Sequence, residues 1–371
     1  MFVKFIENAI APRYPRFAVY PSHSKTFCAA EAISGLEDGI VFILRYPVRR
    51  YGSSYRLYSW IRPHYSKFVS VKAASFNPAR IFDRATLLHL RLPFSFFLLP
   101  VFCFGISQAS NIHAINTWTL FVALHFFIYP GSNVYNSFMD RDTGSIGGLE
   151  HPPPVTPSLL YASVYMDVAG LLLCAVVRWE LAALVSGYVA FSKAYSWHGI
   201  RLKKYPWLGW VMVLFFQGGY TFLMTHMAAE NNFTVQWFNE KNLLCLLIAS
   251  LFIGGYYPLT QIYQHQEDSE RGDQTVSYRL GVRGTFVFSG VLFALAAAVC
   301  YVYFTTFYTL DHFLLFLLML LPVVLYFLYW AAISFKDQYR ADYRHAMRMT
   351  FISSLSMIVA FALIWWMNLT V

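Results

Sequence analysis

Apolar runs long enough to cross a bilayer recur from about residue 87 to the end of the chain, and they leave little choice of fold. They fall at about 87–107, 115–139, 158–177, 181–199, 207–228, 242–263, 285–307, 312–335 and 348–369. Each approaches the roughly 20 residues a helix needs to span a hydrocarbon layer about 30 Å thick. None alternates with the period of two that a membrane strand requires, and lipid offers no partner to an unpaired backbone group. The reading is an all-α membrane protein, a bundle of nine transmembrane helices. Only 13% of the residues are charged and 57% are hydrophobic, whereas a soluble domain carries about a quarter charged.

The net charge of +9 is confined to one end. Residues 1–91 hold fourteen Lys/Arg against five Asp/Glu, and the remaining residues hold fourteen of each. A basic balance of this kind does not point to nucleic acid. It reads as a cytosolic flank drawn to anionic membrane lipid. Residues 1–80 have no sustained period and read as a basic, poorly ordered cytosolic extension, with the membrane domain over 81–371. No cleavable signal peptide is visible. With the N-terminus inside, eleven Lys/Arg lie in the loops on the cytosolic side and only Arg178 and Lys241 in the opposite loops. The positive-inside rule therefore places the chain in a cytoplasmic-type (inner) membrane in that orientation. The five cysteines are scattered without a CxxC pair, and no HExxH occurs, so neither a disulfide frame nor a zinc site is expected.

Charge inside an apolar bundle has to be held by something. Asp140, Asp142 and Glu150 follow the second run, and Glu267, Asp268, Glu270 and Asp273 follow the sixth, all on the cytosolic side. Four spans separate the two clusters, a pattern of two similar four-helix halves plus one extra helix. Asn133, Asn136 and Asp140 share one helical face; Asp142 can join it only if the helix ends there, which Gly144, Gly147 and Gly148 favour. Gln264 and Asp268 share a face in the second cluster, with Gln261 a turn earlier and Glu267 on the flank.

Two such faces meeting in a bundle gather carboxylate and amide oxygens without His or Cys, a donor set that suits Mg²⁺. Mg²⁺ usually bridges carboxylates and a phosphate group. The segment "YSWHGIRLKKYP" puts Tyr195, Arg201, Lys203 and Lys204 on the same side, where cations can grip a diphosphate. A hydrocarbon chain can run between the helices while its head group stays at the cytosolic mouth. The ligand that fits is a polyprenyl diphosphate. Its C–O bond breaks with Mg²⁺ as Lewis acid, leaving an allylic cation that water would quench and aromatic faces would stabilise.

These residues resemble the motifs of the UbiA superfamily of intramembrane prenyltransferases over about residues 80–371. "NSFMD" supplies Asn136 and Asp140 of an Asn-x-x-x-Asp-x-x-x-Asp motif. "YSWHGIRLKK" is similar to the basic loop of the chlorophyll-synthase branch, which puts Arg201 and Lys203 on its basic positions. "EDSERGDQTVSYRLG" is similar to the tail of the second motif, with Asp268 in register. Departures are Gly144 at the third position of the first motif, where Asp142 would have to substitute, and Gln264 at the first aspartate of the second. Glu267 or Asp273 would compensate for Gln264. The resemblance implies nine helices and metal ligation by Asn136, Asp140, Asp142 and Asp268. It also implies diphosphate contacts from Arg201 and Lys203, and prenyl transfer to a lipid-soluble, chiefly aromatic acceptor.

Each assignment has a bland counterpart. The acids can be solvated helix ends, Lys203 and Lys204 positive-inside anchors, Tyr195 an interfacial belt residue, and Arg91 either a diphosphate contact or an anchor. Asn133, Gln264, Glu267 and Asp273 complete the expected substrate contacts. Asp167, inside a span, reads as a protonated, hydrogen-bonded bundle residue near His125 and remote in depth from the cytosolic site. The alternatives to transfer onto an aromatic ring are terpene cyclisation, prenyl transfer to a non-aromatic alcohol, and a lipid or anion transporter.

Overall fold

The computed structural model describes residues 81–141 and 143–370. The N-terminal extension expected over 1–80 lies outside them, as does Asp142. Among the described residues the chain forms helical rods. They are α1 (Arg84–Ser107), α2 (114–140), α3 (Ser158–Val177), α4 (Trp179–Ser196), α5 (Pro206–Glu230), α6 (Glu240–Ser269), α7 (Val276–Phe307), α8 (Leu310–Lys336) and α9 (Tyr343–Leu369). No strand occurs among the described residues, only an isolated bridge between Ile146 and Leu149. Seven of the rods are long and apolar enough to cross a membrane; α2 and α4 are not among the seven.

Local sequence sets the ends of these rods. The Asp83 carboxylate caps α1 by accepting from Thr86 N at 2.7 Å, and Asn239 caps α6 by accepting from Asn242 N at 3.0 Å. Each satisfies a donor that has no partner inside the helix. α1 bends at Arg91, which adopts a left-handed conformation with Pro93 two residues on. α2 and α5 each contain a π-helical turn, at Ala123–Ile128 and Leu214–Tyr220. α6 tightens at Ile262–Gln264 and continues as a short helix to Arg271. Gly272 ends it at φ 73°, a backbone conformation that side chains with a β-carbon rarely adopt. That turn brings Asp273 N back to the Asp268 carbonyl at 2.9 Å, so two acidic residues close on each other.

The apolar core lies between the rods. Leu120, Leu124, Ile128, Val185 and Met224 pack one side of it, and Phe104, Phe222, Trp237, Phe316 and Phe361 the other. The outer faces stay apolar too. Val168, Leu172 and Val176 on α3 and Leu314, Leu318, Leu321, Leu325 and Leu328 on α8 are exposed. Continuous exposed leucine of this kind is a liability in water and the normal surface in lipid. The chain is a multi-pass integral membrane protein.

Candidate active site

The polar C-terminal ends of α2 and α6 meet over one cavity of about 260 Å³. Asn133, Asn136 and Asp140 of α2 line it, as do Gln261, Gln264 and Asp268 of α6, Asp273 beyond it, Tyr195 of α4 and Lys203 of the following loop. Asp140 is the last residue of α2, where the helix dipole is negative and an unpaired carboxylate is disfavoured. The Lys203 ammonium contacts it and lies 3.7 Å from Asp273 Oδ2. The side chains of Lys203, Asp140 and Asp273 are only 10%, 11% and 4% exposed, so these are desolvated charges that must compensate one another.

Arg201 does not line the cavity; it holds Asp273 from outside. Its Nε and Nη2 donate to Oδ1 and Oδ2 at 3.0 and 2.7 Å, a bidentate fork. Burial, and then the adjacent guanidinium, hold the His198 imidazole below its ordinary pKa. Its neutral Nδ1 accepts from Arg201 Nη1 at 3.0 Å and helps aim the fork. Arg91, Arg141 and Arg201 all have positive φ, between 45° and 53°.

The remaining expected residues separate by partner. Asn136 Oδ1 accepts from Ser196 Oγ at 2.7 Å, which leaves it a second lone pair. Asn133 Nδ2 donates to the Leu90 carbonyl at 3.2 Å. The Tyr195 hydroxyl meets that of Tyr257, to which Gln261 Nε2 also donates at 2.8 Å. Asp268 accepts from Thr275 Oγ1 at 3.3 Å. Arg91 lines the cavity, but Nη1 and Nη2 donate to the carbonyls of Gly147 and Asn133, at 2.9 and 3.1 Å. Gln264 Nε2 donates to the Ser145 carbonyl at 3.1 Å. Glu267 is not among the lining residues; its carboxylate accepts from Thr143 and Gly144 instead.

The donor set is one of oxygens. Asp140, Asp268 and Asp273 are joined by the amides of Asn136, Gln261 and Gln264, and Gln261 Oε1 is buried without a hydrogen-bond partner among the described residues. No three His, Cys, Asp or Glu among the described residues are grouped closely enough to cage an ion alone. An incomplete oxygen cage fits Mg²⁺, which keeps waters and phosphate oxygens in its shell. The family model of the UbiA prenyltransferase family matches residues 97–355. The chain belongs to the UbiA prenyltransferase family.

Solved structures agree with that placement in fold. A UbiA homolog from Archaeoglobus fulgidus, bound to GPP and Mg²⁺, is 16% identical with TM-score 0.55, covering 76% of this chain and 99% of its own. The same homolog bound to DMAPP and Mg²⁺ is 16% identical with TM-score 0.55, covering 75% and 98%. No curated protein matches the chain by sequence. Prenyl transfer, at that general level, is the activity of this UbiA-family chain.

Several partners escape sequence reading. Ser196, Tyr257 and Thr275 act across helices, and no spacing rule announces them. Lys193 was detectable. It is a cation inside an apolar run, and intramembrane charge marks a partner. Its ammonium lies 2.7 Å from Asp167 Oδ2, donates to Ser163 Oγ at 2.7 Å and sits 4.3 Å from the Tyr135 ring centroid. One expectation for Asp167 fails here. Its partner is Lys193, not His125, because α3 packs against α4.

Proposed function

We propose that the chain transfers an isoprenyl group from a polyprenyl diphosphate to a lipid-soluble, chiefly aromatic acceptor at the cavity between the ends of α2 and α6. One observation carries this reading: Asp140, Asp268 and Asp273, from distant parts of the sequence, converge with Lys203 on a single cavity. That cavity adjoins a second, apolar one of about 110 Å³, with Phe97, Ile253 and Tyr256 lining both. A charged head and an apolar tail thus have adjoining places, as an amphiphilic diphosphate requires.

Asn136, Asp140, Asp142 and Asp268 would hold Mg²⁺, which supplies Lewis-acid assistance to C–O cleavage when bound. Lys203 binds the diphosphate directly, and Arg201 keeps Asp273 in place beneath it. As the bond breaks, the electron pair leaves with the diphosphate. Tyr129, Tyr188, Phe191 and Tyr256, which line the cavity, present rings to the cation left behind. The acceptor then supplies the electron pair for the new carbon–carbon or carbon–oxygen bond and sheds a proton.

In this reading α2 and α4 also span the membrane. They rise about 40 Å and about 27 Å at 1.5 Å per residue, which makes nine spans with the acid clusters four rods apart. The cytosolic loops carry the site and the positive charge, with the N-terminus inside, in a cytoplasmic-type membrane and after a basic extension over 1–80. The test is incubation of membranes carrying the protein with labelled prenyl diphosphates of several lengths and Mg²⁺, followed by mass spectrometry of the lipid. A prenylated acceptor with stoichiometric diphosphate release supports transfer. Release with a cyclic hydrocarbon or a prenyl ether supports the alternative chemistries. Translocation without release makes the chain a carrier.

A further inference from the structure

The segment 143–153 roofs the cavity, with Ile146 and Gly147 in its lining. It is tied down from three directions. α1 holds it through Arg91 to the Gly147 carbonyl and His89 Nε2 to the Pro153 carbonyl, at 2.9 Å each. α9 holds it through Arg344 Nε to Glu150 Oε1 at 3.2 Å. The end of α6 holds it through Gln264 to the Ser145 carbonyl and through Glu267. The Glu267 contact differs from the rest in kind. Its Oε1 accepts from two successive backbone amides, Thr143 N and Gly144 N, at 2.9 Å each, and from Thr143 Oγ1 at 3.3 Å. Consecutive amides turned onto one anionic oxygen form a nest, and charge-assisted bonds of this type are about twice as strong as neutral ones.

Position 144 is shaped around this carboxylate. A β-carbon on Gly144 would stand 2.7 Å from Glu267 Oε2 and 3.1 Å from Cδ. The glycine leaves the volume that the glutamate of the other acidic helix fills. Within that helix, Asp268 faces the cavity while its neighbour Glu267 faces the roof.

We propose that Glu267 is a positioning residue that clamps the roof of the cavity to the second acidic helix, with Gly144 leaving room for its carboxylate, and so keeps water from the allylic cation. The chemical consequence rests on the prenyl-transfer reading; the clamp itself does not. When the roof lifts, a water oxygen bonds to the cationic carbon and loses a proton, giving a prenyl alcohol in place of the transfer product.

The experiment uses the full chain in lipid nanodiscs. Hydrogen exchange of segment 143–149 is measured without substrate. Product partition is measured separately with Mg²⁺, a labelled prenyl diphosphate and the lipid extract of the host membrane as acceptor source. Glu267→Ala is expected to speed exchange at 143–149 at least tenfold. It should raise the ratio of prenyl alcohol to transferred product several-fold, with the Mg²⁺ concentration for half-maximal rate unchanged. Glu267→Gln, which keeps an acceptor oxygen but loses the charge, should fall between wild type and Glu267→Ala in both readouts. Gly144→Ala, which obliges only the tip of the Glu267 side chain to shift, should move both readouts in the same direction by less than Glu267→Ala, and the double variant should be no worse than Glu267→Ala alone, because both act on one contact. Unchanged exchange in Glu267→Ala, or additive effects in the double variant, would overturn the clamp. A Mg²⁺ requirement raised in Glu267→Gln would make the residue a metal ligand and overturn it too. If wild type yields neither product nor diphosphate release, the transfer reading fails, and the exchange measurement still decides the clamp.

Discussion

Two lysine–aspartate pairs lie within or beside the bundle, and they differ in what surrounds them. Lys193 and Asp167 meet at 2.7 Å between α3 and α4, with a serine and a tyrosine ring completing the lysine's neighbours. Neither lines the cavity. Lys203 and Asp140 meet at the cavity, which Asp268, Asp273 and Arg91 also line, while Arg201 holds Asp273 from outside. The first pair balances one charge against one and behaves as a brace between helices. At the second, three carboxylates line a space that a ligand can enter, together with Lys203 and Arg91. Carboxylates gathered in this way are what a divalent ion would bridge to a diphosphate.

The comparison is sharpened first by removing acid from the cavity. Asp140→Asn or Asp268→Asn should each lower diphosphate release at least a hundredfold while membrane insertion, followed by protease protection of the loops, stays intact. Chelation with EDTA should match that loss, and added Mg²⁺ should restore the wild-type rate but not the variants. Wild-type rates in either variant would make the cavity another brace. The converse test is at the brace. Asp167→Leu or Lys193→Met alone strands a charge and should cost about 3 kcal/mol in thermal unfolding. The double variant should recover most of it, and a double variant as poor as the singles would break the distinction. Lys203→Gln is expected to raise KM for the prenyl diphosphate about tenfold, the scale of one charge-assisted hydrogen bond. The smallest effect belongs to Arg344→Ala at the water-exposed Glu150 pair, where stability should move by less than about 0.5 kcal/mol.

Long apolar runs were legible because hydropathy reports burial in lipid directly. The run expected at 158–177 coincides with Ser158–Val177, and that at 312–335 lies inside Leu310–Lys336. α7 begins nine residues earlier than expected, at Val276, because its first turns carry Arg279 and Arg283 and Gly281 breaks the backbone there at φ 66°. A hydropathy reading stops at such residues although the helix does not. The acids of the site were legible as costly charges on one membrane side. Their partners were not. Arg201 reaches Asp273 across 72 residues, and the Gly147 and Ser145 carbonyls that occupy Arg91 and Gln264 carry no side-chain signature at all. Charge and spacing identify which residues want a partner; only packing decides which partner they receive.

The left-handed arginines bear on how this sequence can change over time. A residue with a β-carbon in that conformation costs on the order of 1 kcal/mol more than glycine would. At Arg91 and Arg201 the guanidinium offsets the penalty through the roof carbonyl and the Asp273 carboxylate. Arg141 makes no side-chain hydrogen bond or ion pair among the described residues, in contrast to both. Arg141→Gly should therefore cost little stability, while glycine at 91 or 201 forfeits the company those side chains keep.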